Sequence, residues 1–153
     1  GAPARDGRGF SDGEAWLMKA LSIQQPWAWL IARGYKDIEN RSWFTRYRGR
    51  FLIHASQKAD YHAIQKHRLA GVIKSIMKAN NVTMDDLERG GIVGAVDLVD
   101  CITAGGSQWF DGDYGFVLAN PEVMKFVPCR GKLNFFSVES VEQPKVLHDM
   151  EYK

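Results

Sequence analysis

Lys36, Glu39 and Arg41 fall within one short stretch, GYKDIENRSWFTRYRGR, residues 34–50. An amine, a carboxylate and a guanidinium this close together suit a ligand that is anionic or rich in hydrogen-bonding groups. Lysine and arginine neutralise phosphates, and the arginine fork also meets a base edge or a carboxylate. Glu39, two residues before Arg41, can orient that guanidinium or read an amino group. Trp43, Phe44 and Tyr47 interleave with Arg46, Arg48 and Arg50, offering flat faces on which unpaired bases stack. The candidate nucleic-acid-binding set is therefore Lys36, Arg41, Trp43, Arg46, Tyr47, Arg48 and Arg50. The same residues have a plainer reading: a core tryptophan, a surface Glu39–Arg41 ion pair and a solvated hairpin.

His54, inside RFLIHAS, is a second candidate. A strand histidine is most often buried and hydrogen-bonded. If its face lined the Lys36 cleft it would serve as a general acid or base, making Lys36, Glu39 and His54 a candidate catalytic set. Other chemistries have less support. Histidines occur at positions 54, 62, 67 and 148; His62 and His67 are five apart and should diverge around a helix, so no metal site is expected. No phosphate-loop or dinucleotide fingerprint occurs, and no cofactor is expected. There is no G-x-S-x-G elbow.

These residues need elements to place them. Residues 20–23 read as a short strand. Pro26 suits the first turn of a helix carrying Trp27, Leu30 and Ile31, with Gly34 as its cap. Residues 37–43 read as a strand with Glu39, Arg41 and Trp43 on one face and Lys36 at its start. A turn at 46–49 leads to a strand at 50–56, and residues 58–77 read as one long helix. Thr83 with Asp86 makes a capping-box pattern for a short helical turn ending at Gly90. The β-branched run GIVGAVDLVDCI, residues 91–102, reads as a central strand buried on both faces. Residues 114–119 and 132–138 read as two more strands. Strands outnumber helices and mostly lack βαβ spacing, so the expected fold is α+β: a small, mostly antiparallel barrel flanked by helices.

The 153 residues make one domain, and 45% apolar content supports a core without staples. No run of eighteen apolar residues is present, so no membrane partner is expected. The first seventeen residues, GAPARDGRGFSDGEAWL, show no apolar periodicity or secretory character. They read as a loose tail or a segment foreign to the fold, ahead of a domain at 18–143 and a C-terminal tail at 144–153. Two cysteines, Cys101 and Cys129, read as reduced thiols of an intracellular protein, cytoplasmic or nuclear. The net charge of +2 averages two opposed regions. Residues 33–50 carry six bases against two acids, and residues 85–122 eight acids against one base. Such a layout can orient a polyanion onto one surface.

The stretch LSIQQPWAWLIARGYKDIENRSW resembles the start of an ASCH domain, whose signature G-x-K-x-x-E-x-R is matched by Gly34, Lys36, Glu39 and Arg41. The resemblance extends over RSW, RGR, RFLIHAS and GIVGAVDLVDCI, roughly residues 19–138. It implies a PUA-like fold with the motif at the lip of a cleft between barrel and helix. It further implies RNA binding in processing, translation or transcriptional coactivation, with Lys36 and Arg41 contacting the ligand. Some members of similar fold are amidohydrolases on acetylated cytidine, or ribonucleases. The amidohydrolase type carries a threonine nucleophile where this chain has Glu39, and a carboxylate cannot simply replace that hydroxyl. The expectation is RNA or single-stranded nucleic-acid binding, with DNA also possible. An enzyme using Lys36 and Glu39, and a protein-interaction module, are the alternatives.

Overall fold

The computed structural model describes residues 16–140. Of the two expected tails, residues 1–15 and 144–153 lie outside the described residues. The elements in order are β1 (Trp16–Ile23), α1 (Trp27–Ala32), β2 (Ile38–Arg41), β3 (Gly49–Ala55), α2 (His62–Gln65), α3 (Ala70–Ala79), a 3-10 turn (Met84–Asp86), β4 (Gly91–Ile102), β5 (Tyr114–Pro128) and β6 (Phe135–Ser140). The strands form one sheet in the order β2-β5-β4-β3-β1-β6. Only β1 and β3 pair in parallel; the other four ladders are antiparallel. This is the α+β, mostly antiparallel architecture expected of a PUA-like domain.

Alternation along the strands sorts the core into layers. Leu21 and Ile23 of β1 and Phe51, Ile53 and Ala55 of β3 share the inner layer with Phe116 and with Ile31 of α1. Ala20, Leu52, Ile92, Ala95 and Phe136 pack on the opposite face. A third cluster joins Leu30 and Ile38 to α3 through Ile73 and Met77. β4 is buried from Gly91 to Leu98, the doubly covered central strand that its apolar run predicts.

The sheet is coiled but not closed, which corrects the expected barrel. Phe116 of β5 and Phe135 of β6 stack at 6.2 Å although three strands lie between theirs in the sheet order. The outer strands β2 and β6 nevertheless form no ladder with each other. β2 is only four residues long, and β6 covers β1 no further than Leu21. The carbonyl of the next residue, Ser22, accepts a hydrogen bond from Arg41 Nη2 at 2.7 Å instead. A side chain closes the seam where backbone pairing stops.

Two further expectations change. The long helix breaks into α2 and α3, because the Leu69 amide donates to His67 Nδ1 rather than to a carbonyl one turn back. β5 runs nine residues beyond its expected end, to Pro128. Asn120, with φ of 55°, makes an irregularity that accommodates Pro121, and its Nδ2 donates to Asp97 Oδ2 at 2.9 Å. The capping box at Thr83 and Asp86 is present, with the Thr83 amide and hydroxyl both on Asp86 Oδ2; the turn ends at Asp86, short of Gly90.

Candidate nucleic-acid interface

The G-x-K-x-x-E-x-R residues assemble as the spacing suggests. Gly34, at φ of 84°, ends α1 and donates its amide to the Ile31 carbonyl. The chain then enters β2, whose alternation sends Glu39 and Arg41 to one side. Lys36 lies before the strand, and its side chain folds back so that Nζ donates to the Ile38 carbonyl. Lys36 Nζ stands 3.5 Å from Glu39 Oε1, and Arg41 Nε donates to Glu39 Oε2 at 3.0 Å. Glu39 thus bridges two cations. Both Lys36 and Glu39 are buried, at 4% and 7% exposure.

Lys36 and Glu39 form the floor of a cavity of about 230 Å³ walled by Trp27, Trp109, His67, Asn40 and Asp111. Trp27 packs at the base of α1, its indole N–H donating to Asp60 Oδ2 at 2.8 Å, with the Lys36 amine 5.4 Å from the centre of the ring. Trp109 comes from the β4–β5 loop. Asn40 clamps that loop twice, donating from Nδ2 to the Trp109 carbonyl and accepting the Asp111 amide at Oδ1, both at 2.8 Å. Ser107 adds a hydrogen bond to Asp37 Oδ1 at 2.6 Å.

Burial pushes the Lys36 amine below its usual range, and the neighbouring Glu39 carboxylate only partly offsets that. Burial, followed by the positive charge of Arg68, also lowers His67. Its Nδ1 accepts the Leu69 amide, so the neutral ring keeps its proton on Nε2. The cavity therefore offers a buried amine, an imidazole N–H, carboxylate acceptors and aromatic walls. Two carboxylates against one amine make it a poor phosphate site and a good site for a flat, polar heterocycle.

The remaining candidates separate. Trp43 packs edge-on against Phe116 and Phe135, and Tyr47 packs on Phe135 while its hydroxyl donates to the Arg50 carbonyl; both sit against the inner core. Arg50 is buried, bonded to Asp97 Oδ1 at 3.0 Å and Glu122 Oε1 at 2.9 Å. Arg48 donates to the Thr45 and Tyr47 carbonyls and lies 3.8 Å from Asp100. Two arginines of the basic stretch thus meet acids of the acidic stretch, so the two charge blocks are not held apart as opposite surfaces. Arg46 is exposed, its guanidinium 5.9 Å from the centre of the Phe44 ring. Phe44 is itself 47% exposed and is the open aromatic of this loop.

His54 does not face the Lys36 cavity. It sits on the other face of the sheet, between the Ser22 hydroxyl at 2.9 Å and the Cys129 carbonyl at 2.6 Å. His62 and His67, expected to diverge, lie 6.0 Å apart because the helix breaks between them. Among the described residues no group of three His, Cys, Asp or Glu side chains is arranged to hold a metal ion. Trp27, Asn40, His67, Trp109 and Asp111 are the cavity residues that sequence reasoning did not assign. Trp27 had a signal in the adjoining QPW stretch and Asn40 lies inside the motif; the other three arrive from a helix break and a distant loop without a local pattern.

The ASCH domain family matches this chain over residues 21–126, and the chain belongs to that family. Activating signal cointegrator 1 of Homo sapiens and that of Mus musculus are each 33% identical to it over 131 residues. The match covers 78% of this chain but 22% of each relative, so the chain spans about a fifth of the length of those proteins. Among the described residues no helix is long and apolar enough to cross a membrane.

Proposed function

We propose that this chain binds single-stranded nucleic acid, RNA foremost, by taking one unpaired base into the Lys36 cavity. The observation that carries the reading is the buried Lys36–Glu39 pair on the floor of an aromatic-walled cavity, with Arg41 bonded to Glu39 from outside it. A base offers both a stacking face and a hydrogen-bonding edge, which is what Trp27, Trp109, Glu39 and the Lys36 amine are placed to meet. The backbone stays outside, on Arg41, Arg46 and the exposed Phe44 loop. Arg41 Nη1 makes no hydrogen bond among the described residues and is available to a phosphate. Trp43, Tyr47 and Arg50 then support the wall rather than touch the ligand. Coactivation or RNA processing is the setting that the relatives' name suggests. The free thiols Cys101 and Cys129 suit an intracellular one, cytoplasmic or nuclear.

The test is fluorescence anisotropy with a single-stranded RNA, a matching DNA strand and a duplex at two salt concentrations. Lys36→Met should weaken single-strand binding at least tenfold, and parent affinity should fall with salt as counterions are released. Equal affinity for the variant overturns the reading, and binding without salt dependence favours a protein partner.

A second reading has its own support in the lowered proton affinity of Lys36. A buried amine poised toward its neutral form beside Glu39 can act as a base on water or as a nucleophile toward a modified base. Release of product from modified nucleosides, abolished by Lys36→Met, would establish that activity. His54 has no part in it, since it faces away.

A further inference from the structure

A larger cleft, of about 680 Å³, opens on the outer face of the sheet at the end where β1 and β3 finish. Its floor is His54, only 2% exposed, with both ring nitrogens occupied. Nε2–H donates to the Cys129 carbonyl, and Nδ1 is hydrogen-bonded to the Ser22 hydroxyl. That arrangement pins the β5–β6 loop to the sheet. The loop lies close at Gly131, where a Cβ would stand 2.6 Å from Ser22 Oγ and 2.7 Å from His54 Cε1. Only glycine fits there, and its neighbours Arg130 and Lys132 reach outward from the same loop. These two cations, with the Ser56 hydroxyl and the Gln57 amide, line the cleft, and no carboxylate does.

The charge balance is thus opposite to that of the Lys36 cavity, which holds two carboxylates and one amine. The two sites are linked through Arg41, which bonds Glu39 of the cavity and the Ser22 carbonyl. The Ser22 carbonyl accepts Arg41 Nη2, while the Ser22 hydroxyl faces the outer cleft. A cavity that suits a base but not a phosphate, linked through Arg41 to a cationic cleft that no acid lines among the described residues, matches the division of a nucleotide strand into bases and backbone.

We propose that the Ser22–His54–Lys132 cleft is a second subsite, binding the phosphodiester backbone of the nucleotides next to the base in the Lys36 cavity. This rests on the nucleic-acid reading above and extends it: the ligand is a strand that crosses Arg41, not a free nucleoside. Arg130 and Lys132 neutralise its phosphates, and Ser56 and Gln57 supply neutral hydrogen bonds.

The experiment compares parent, Lys36→Met and the double variant Arg130→Ala/Lys132→Ala on ten-nucleotide oligouridylate and oligodeoxythymidylate, and on uridine and cytidine without phosphate. Because neither loop cation is buried, the double variant should melt with the parent. It should bind the decamers at least fivefold more weakly, with the salt slope reduced by about 1.4, some 0.7 for each single-strand phosphate that is no longer neutralised. Its affinity for the nucleosides should match the parent's, whereas Lys36→Met should lose both. Unchanged decamer affinity and slope in the double variant overturn the subsite, even where Lys36→Met confirms the cavity. Loss of decamer binding in the double variant alone, with Lys36→Met at parent affinity, sustains the cationic cleft and refutes the base cavity.

Discussion

Two clusters of buried charge lie on the same sheet and behave differently. At the β2 end, Glu39 sits between Lys36 and Arg41, two cations sharing one carboxylate, beside a cavity. On β3, Arg50 sits between Asp97 and Glu122 and bonds both carboxylates, held between β3, β4 and β5. Arg50 is further held by the Asn120 carbonyl, and Asn120 in turn holds Asp97. The second network pins the irregularity that lets β5 continue past Pro121. The first leaves a lowered amine facing an open space. Buried charge alone therefore does not single out a candidate site; the first cluster is singled out by the cavity beside it and the displaced proton affinity of its amine.

The sharpest way to test that contrast is to break the second cluster. Arg50→Met removes the guanidinium that meets the buried Asp97 and the half-buried Glu122, and should cost about 3–5 kcal/mol of stability in urea unfolding. Phe44→Ala should do the reverse: stability within about 0.5 kcal/mol of the parent, and binding to a single strand weakened by about 1–3 kcal/mol, the range for one stacked base. Should Phe44→Ala change stability and not binding, the exposed loop is no part of the interface.

Tyr47 sharpens the comparison by its own titration. Burial, with the Asp97 charge second, pushes its hydroxyl up to about 12 from 10.0. Between those values the folded state keeps a proton that the unfolded state has lost. The stability this provides is complete below pH 10 and fades as pH rises toward about 12. Tyr47→Phe should cost about 1 kcal/mol at neutral pH through the lost bond to the Arg50 carbonyl, and should flatten the alkaline decline.

The last test belongs to Lys36. Its lowered proton affinity means the unfolded chain binds the extra proton, so stability rises with pH from the lowered value up to 10.5. The parent should gain stability relative to Lys36→Met across that window in paired urea titrations. A constant gap between the two would show that the amine is solvated rather than buried.

The local part of the site was legible in the sequence. Period-two alternation put Glu39 and Arg41 on one face, and a long side chain was enough for Lys36 to reach them from outside the strand. β4 was legible because an uninterrupted β-branched run has nowhere to go but the centre of a sheet. What could not be read was set by partners far along the chain. Arg50 looked like part of a solvated hairpin because Asp97 and Glu122 lie 47 and 72 residues away. The helix break at His67 carries no glycine or proline; a side-chain nitrogen capturing the Leu69 amide leaves no pattern to detect. His54 had the right type and the right strand, but the face it occupies depends on how that strand packs in the sheet.

The Arg41 link across the seam gives the site a mechanical role. A ladder of backbone bonds would lock the sheet into a ring whatever the ligand did. Here the polar fastening is a guanidinium that also belongs to the G-x-K-x-x-E-x-R motif. In the proposed complex, a phosphate on Arg41 Nη1 would share the fork whose Nη2 holds the Ser22 carbonyl, so occupancy of the site and the tightness of the fastening would be coupled.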